Sequence, residues 1–156
     1  MTKDQFALRA EAIKEKLYKM AFLYLGDEVR AVDAVDEAVC RALCSLRKLR
    51  QEEYFDTWIT RILINECCKE LRRQKRLHPM AELPETPAAD YDALPLRDAI
   101  DALPKELKDI IILRYFAGYT LIETAEILSI PQGTAASRQR RALGLLRLEL
   151  GEEERP

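Results

Sequence analysis

The stretch TLIETAEILSIPQGTAASRQRR, residues 120–141, decides the fold of the chain. Thr120 and Glu123 stand three apart, the spacing at which a Thr hydroxyl and a Glu carboxylate reciprocally satisfy orphan backbone N–H groups at a helix start. A short helix follows, in which small Ala125 permits close contact with a neighbour. Ser129-Ile130-Pro131-Gln132-Gly133 then predicts a turn, and Thr134 to Leu148 a longer last helix. Between Ile127 and Leu148 there are four arginines, Arg138, Arg140, Arg141 and Arg147, and no acid. A capped short helix, a tight turn and an arginine-bearing helix, in that order, form the helix-turn-helix pattern, whose second helix enters the major groove of DNA. A surface of one sign neutralises phosphates and releases counterions. The plainer reading is a solvated cationic face near a helix C-terminus, and helical hairpins without DNA function contain such turns too.

Outward from this stretch the chain reads as helix throughout. Five glycines in 156 residues and almost no period-two alternation argue against sheets, while apolar residues recur at three and four. Upstream, Leu96 to Leu103 predicts a short helix, then Pro104 a helix start with Leu107, Ile110, Ile111 and Tyr115 as its buried face and Gly118 as its end. In the first half, Phe6, Ala10, Ile13, Leu17, Met20 and Tyr24 make one stripe of a helix ending near Gly26, after which Asp27 can cap the next. Val29, Val32, Val35, Val39, Leu43 and Leu46 make the expected buried stripe of that second helix, leaving Asp33, Asp36, Glu37 and Arg41 on its other faces. Tyr54-Phe55-Asp56-Thr57-Trp58 opens a third helix, with Asp56 or Thr57 as the expected cap, and Lys69 to Arg76 gives that helix a basic end of five cations against one acid. Tyr54, Phe55 and Trp58 beside such a helix offer stacking faces and an electrostatic track for single-stranded nucleic acid; for Phe55 and Trp58 individually, core packing is the more ordinary reading.

Between the halves, residues 77–95 hold no Lys or Arg, four acids (Glu82, Glu85, Asp90, Asp92) and four prolines (Pro79, Pro84, Pro87, Pro95). This composition predicts a linker. The expected organisation is therefore an all-α chain: a helical domain over 1–76, a linker over 77–95, a second domain with the helix-turn-helix over 96–150, and a tail over 151–156.

Several function classes lose ground. The apolar content, 48%, is too high for a solvated coil, no apolar run approaches the length of a membrane span, and the polar start Met1-Thr2-Lys3-Asp4-Gln5 is unlike a secretion signal, so a cytosolic chain is expected. Cys40 with Cys44 and Cys67 with Cys68 lack C-x-x-C spacing, and His78 is the one histidine, so reduced, mostly buried thiols and no metal are expected. No nucleophile, base and orienting group converge, and no glycine loop cradles a phosphate; neither catalytic residues nor a cofactor are expected. The net charge of −2 makes a poor independent DNA binder, because non-specific affinity comes from phosphate neutralisation. A large partner that carries the nucleic acid resolves that conflict. A dimeric free-standing helix-turn-helix regulator and a helical adaptor that binds only protein remain open on these observations.

Two ordered motif sets then carry a resemblance. Ala34-Val35-Asp36-Glu37-Ala38-Val39 resembles the polymerase-docking helix of compact extracytoplasmic-function sigma factors, and Phe55-Asp56-Thr57-Trp58-Ile59-Thr60-Arg61-Ile62-Leu63-Ile64-Asn65 resembles their F-x-T-W-L-x-R-I-x-x-N signature. Leu103-Pro104, Ile111-Ile112-Leu113-Arg114-Tyr115 and Gly133-Thr134-Ala135-Ala136-Ser137-Arg138 are similar to their L-P, v-i-x-L-r-y and G-T-V-K-S-R patterns, so the resemblance spans about residues 5 to 150. It implies a promoter-specificity subunit that binds core RNA polymerase and promoter DNA, without catalysis of its own, and is often restrained by an anti-sigma protein. It further implies docking through Asp33, Asp36, Glu37 and Arg41. Capture of unpaired minus-ten bases falls to the Leu49–Phe55 loop and the third helix, with Asn65, Lys69, Arg72 and Arg73 along the strand. Gln132, Thr134, Ala136, Ser137, Arg138, Arg140 and Arg141 are implied near the minus-thirty-five duplex. Asp36 replaces a common Gln, Ala136 a common Lys, Gln139 a common Leu and Leu143 a common basic residue.

Overall fold

The computed structural model describes the backbone of residues 1–77 and 94–150 and the side chains of residues 1–77 and 96–147. Every regular element among them is helical. The chain divides into two compact units, Met1–Thr86 and Pro87–Pro156. Most of the stretch expected as a linker, and the tail over 151–156, lie outside the described residues.

The first unit packs three long helices, α1 (Lys3–Leu25), α2 (Glu28–Cys44) and α3 (Phe55–Leu77), each against the other two. Their ends follow local chemistry. Thr2 and Gln5 form a capping box at the start of α1, Gly26 closes it in the left-handed region at φ 69°, and the Asp27 carboxylate accepts from the Arg30 N–H at 3.0 Å to start α2. The stripe expected on α1 is buried in full.

On α2 the phase differs from the expectation. The buried stripe is Ala31, Ala34, Val35, Ala38 and Ala42, while Val29 is 70% exposed and Val32 and Leu43 also face solvent. Both sets of residues repeat at helical spacing, so periodicity alone leaves the phase open. Packing against α1 and α3 at once decides it: four alanines let two neighbours approach closely, with Val35 the one larger residue of the stripe.

Two short 3₁₀ turns, Leu46–Lys48 and Glu52–Tyr54, lead into α3. Asp56 and Thr57 lie inside this helix and not at the position before it, because the second turn runs straight into it: the Thr57 hydroxyl donates back to the Tyr54 carbonyl at 3.1 Å, and Asp56 accepts from Arg9 at 3.4 Å.

The second unit is built from α4 (Leu94–Asp101), α5 (Lys105–Ile111), a π-turn over Ile112–Phe116, α6 (Leu121–Leu128) and α7 (Gln132–Leu150). The first of these begins two residues earlier than expected, with Pro95 in its first turn where a missing N–H costs nothing. Pro104 stands just before α5, not as its first residue. Helix α7 packs on α4, α5 and α6. Ala99, Ile100, Leu103, Leu107, Ile111, Ala142 and Leu146 form one core cluster, and Ile110, Ala125 and Ala135 a second. Tyr115, expected in the buried face, is 50% exposed: the Ala117 N–H reaches back five residues to Ile112, and this wider turn rotates Tyr115 and Phe116 outward while Ile112 and Leu113 stay buried. Gly118, at φ 78°, ends the segment as its sequence position predicts.

Candidate nucleic-acid interface

The helix-turn-helix is realised bond by bond. The Thr120 hydroxyl accepts from the Glu123 N–H at 3.1 Å and the Glu123 carboxylate from the Thr120 N–H at 2.9 Å. At the other end of α6, Ser129 occupies the left-handed region at φ 57°, and its N–H and that of Ile130 reach back to carbonyls of the last turn. Helix α7 starts at Gln132, so Gly133 belongs to its first turn and not to the preceding turn.

Helix α7 sorts its polar residues. Gln132, Ser137, Arg140 and Arg141 are exposed, with Thr134 and Ala136 half-buried beside them, while Ala135, Ala142 and Leu146 face the core. Arg138 sits apart on the flank, half-buried, 4.0 Å from Glu106 of α5. The helix is held from behind by Arg114, whose Nε donates to the Gln139 Oε1 at 2.8 Å and whose Nη1 donates to the Tyr119 carbonyl at 2.7 Å. One guanidinium thus ties the π-turn, the entrance to α6 and the middle of α7 together. Among the described residues Arg140 and Arg141 form no ion pair; Arg140 reaches only the Ser137 hydroxyl, at 3.4 Å.

In the first unit the candidates separate. Phe55 is 0% exposed, with its ring edge-on to Phe6 at 5.7 Å and under the Arg9 guanidinium at 4.9 Å. It is a core anchor, and its face is closed to a base because both neighbours cover it. Trp58 is half-buried at 6.0 Å from Phe55, and Tyr54, at 50% exposure, is the open aromatic of the three. Along α3, Arg61, Asn65, Lys69, Arg72 and Arg76 recur at four, four, three and four, and all are exposed. Arg73 lies beside this stripe, held by Glu70 through two bonds of 2.7 and 2.9 Å. That guanidinium holds the Glu70 carboxyl below the usual carboxylate range, and Gln74 adds to the effect.

On α2, Asp33, Asp36 and Glu37 are exposed together with Val29, Val32 and Leu43. Arg41 is bonded to Glu37 at 3.2 Å and, across to α3, to the nearly buried Glu66 at 2.5 Å. It therefore joins two helices as well as edging the acidic face.

Sequence-family comparison settles what these surfaces belong to. The family description "Sigma-70 region 2" matches residues 10–77, and "Sigma-70, region 4" matches residues 99–148. The RNA polymerase sigma factor SigV of Bacillus subtilis is 34% identical over 146 residues, covering 90% of this chain and 88% of that one. The chain belongs to the extracytoplasmic-function group of the sigma-70 family. This sigma factor is a promoter-specificity subunit: it binds core RNA polymerase and directs transcription initiation at particular promoters. The ECF sigma factor SigM of Mycobacterium tuberculosis is 31% identical, covering 87% of this chain and 72% of that one. In fold, the sigma factor is similar to RpoE of Bartonella quintana, solved with the anti-sigma factor NepR (TM-score 0.83, 22% identity, 98% of this chain and 100% of that one). It is also similar to CnrH, solved with the cytosolic domain of CnrY (TM-score 0.78, 19% identity, 98% and 92%). No helix among the described residues is long and apolar enough to cross a membrane.

Three features escaped the sequence reading. Val29 and Val32 belong to the exposed face of α2, and only the competing alanine stripe could have signalled it. Arg61 belongs to the α3 stripe, and its place four before Asn65 was the available signal. The cysteines divide evenly: Cys67 and Cys68 are buried as expected, but Cys40 and Cys44 are exposed, because they fall on the outer face of a helix whose inner face is taken by alanine.

Proposed function

We propose that three surfaces of this sigma factor divide the work of initiation. The outer face of α2, with Asp33, Asp36, Glu37 and Arg41 and the apolar Val29 and Val32, docks on core polymerase. Tyr54 and the exposed stripe of α3, Asn65, Lys69 and Arg72 with Arg61, follow the unpaired minus-ten strand. Trp58 flanks that track, and Arg73 joins it when Glu70 releases it. The outer face of α7, Gln132, Thr134, Ala136, Ser137, Arg140 and Arg141, lies on the minus-thirty-five duplex, with Arg138 at its edge. Residues 1–76 and 96–150 act as the two functional domains, joined by residues 77–95. The chain acts in the cytoplasm by binding, without chemistry of its own.

One observation carries this reading: a chain of net charge −2 concentrates exposed cations on two helices, the second of them free of acid from Ile127 to Leu148. Such a chain grips DNA weakly alone, since counterion release scales with the phosphates neutralised. Polymerase supplies the remaining affinity by presenting both surfaces at once. The anti-sigma factor in the RpoE complex supports a further part of the reading, that an anti-sigma protein restrains this chain.

The test is run-off transcription with purified core polymerase on a library of genomic promoters. The expected result is selective initiation that depends on the chain and is lost in the R140A/R141A variant, with the D33K/E37K variant failing to associate with polymerase. Tight binding of the isolated chain to a palindromic site, unchanged by polymerase, would overturn the assignment.

A further inference from the structure

Cys40 and Cys44 stand one helical turn apart on the outer face of α2, both exposed, and both line one cleft between α2 and α3 of about 560 Å³. The cleft is completed by Glu37, Arg41, Ser45, Ile62, Asn65 and Glu66. The two thiols continue the stripe of Asp33 and Glu37, since positions 33, 37, 40 and 44 follow at four, three and four.

Their spacing restricts what they can do together. Residues four apart on a helix hold their Cβ atoms about 5–6 Å apart, whereas a disulfide requires roughly 3.8 Å. The pair cannot close on itself without unwinding the last turn of α2. An interposed atom removes the difficulty, because two bonds to sulfur of about 2.3 Å each allow the sulfurs to stand up to roughly 4.6 Å apart. No third ligand is at hand: among the described residues no group of three or more His, Cys, Asp or Glu side chains is placed to hold a metal ion. That disfavours tetrahedral zinc and selects a centre content with two thiolates.

We propose that Cys40 and Cys44 form a binding site for a soft thiophile that takes two thiolates, either a monovalent d10 ion such as Cu(I) or a trivalent organoarsenical. With an ion, two S–H bonds break, two metal–sulfur bonds form and two protons leave to solvent. With an arsenoxide, two As–S bonds replace the As=O bond, and the oxygen departs with both thiol protons as water. No electron changes hands in either case. The occupied site lies on the outer face of α2 beside Glu37, Arg41 and Asn65, so loading it blocks docking. That consequence rests on the assignment of this face to polymerase, whereas the thiol site itself does not.

The experiment uses the full chain, without oxygen, with phenylarsine oxide and Cu(I) as probes and Zn(II) as control. Each probe is expected to bind one per chain with loss of two titratable thiols, mapped to the peptide containing Cys40 and Cys44. C40S and C44S should each bind about 100-fold more weakly, the loss of a chelate's effective concentration. Cys67 and Cys68, both buried, supply the internal comparison. Uptake that persists in C40S/C44S, stoichiometry of one thiol per probe, or preference for Zn(II) would overturn the site. Polymerase association of the loaded chain is then measured beside that of the unloaded D33K/E37K variant. Loss in both is the expected result. Confirmed loading together with undiminished association in both would refute the docking assignment and leave the thiol site standing.

Discussion

The two cationic helices of this sigma factor are prepared for DNA in different ways. On α3 a cation of the basic end is already occupied, Arg73 by Glu70, and the same unit uses Arg9 with Asp56 and Arg41 with Glu66 as fasteners between elements. On α7 there is no acid from Gln132 to Leu148; Arg140 and Arg141 project with no ion pair among the described residues, and the fastening is done from behind by Arg114 through neutral acceptors, Gln139 and the Tyr119 carbonyl. A nucleic acid that engages Arg73 must exchange partners with Glu70. One that reaches α7 meets cations with nothing to give up. On the proposed division of work, duplex contact by the second unit is therefore the simpler electrostatic event, and strand capture by the first is the one that local acids can tune.

The largest effect should come from the anchor on which α3 is mounted. Phe55 fills the junction of α1 and α3 with no exposure, against Phe6 and Arg9, so Phe55→Ala should destabilise the first unit by about 3–5 kcal/mol. Urea unfolding followed by the fluorescence of Trp58, the chain's one tryptophan, reads that unit. A midpoint close to that of the unaltered chain would show that the aromatic is not buried and restore it as a stacking candidate.

Next comes the difference between paired and open cations. Replacing Arg140 and Arg141 with Ala should weaken binding of the assembled polymerase to promoter duplex and flatten its salt dependence by about 0.9 for each phosphate no longer neutralised. The midpoint of unfolding should barely move, since neither side chain holds anything else in place. An unchanged salt slope would remove α7 from the duplex. The equivalent change at the rear of α7 reverses the pattern. Gln139→Leu deletes the acceptor of a charge-assisted bond, leaving Arg114 with the Tyr119 carbonyl, and should cost about 1 kcal/mol of stability without altering the salt slope. If the Leu variant is as stable as the original, the tether is ornamental.

How much of this was legible beforehand depends on whether local chemistry or packing made the decision. The helix-turn-helix was readable because Thr120, Glu123 and Gly118 each act within their own turn, and all three do what their positions require. The third helix and its basic end were readable from composition, although its start was not, since Asp56 and Thr57 lie inside the helix. The phase of α2 was not: valine and alanine stripes repeat at the same spacing, and only the simultaneous packing on α1 and α3 selects alanine. Nor was the π-turn, since nothing local marks the extra residue that turns Tyr115 outward. Site residues followed the same division. The acid-free run of α7 is visible in one dimension, but the enclosure of Phe55 and the pairing of Arg73 depend on neighbours placed by the fold.

The smallest effect tests the comparison where it is most delicate. Glu70→Gln removes the carboxylate that holds Arg73 while keeping a side chain of the same length, so Arg73 becomes as available as Arg140. Affinity of the polymerase for single-stranded minus-ten DNA should rise, and its salt slope should steepen by about 0.7 for one further phosphate neutralised. Stability should respond with a definite sign in pH. Because Arg73 holds the Glu70 carboxyl below its ordinary value in the folded chain, the pair contributes above the unfolded carboxylate pKa, and that contribution is lost as pH falls through the depressed folded value. The original chain should therefore be the more stable of the two at neutral pH, with the difference closing at the acid end. Thermal unfolding of both chains across that range, set beside the strand-binding slopes, decides the matter. A Gln variant that binds single strands no better would mean that Arg73 is a fastener like Arg9 and Arg41, and that the strand runs along Lys69 and Arg72 without it.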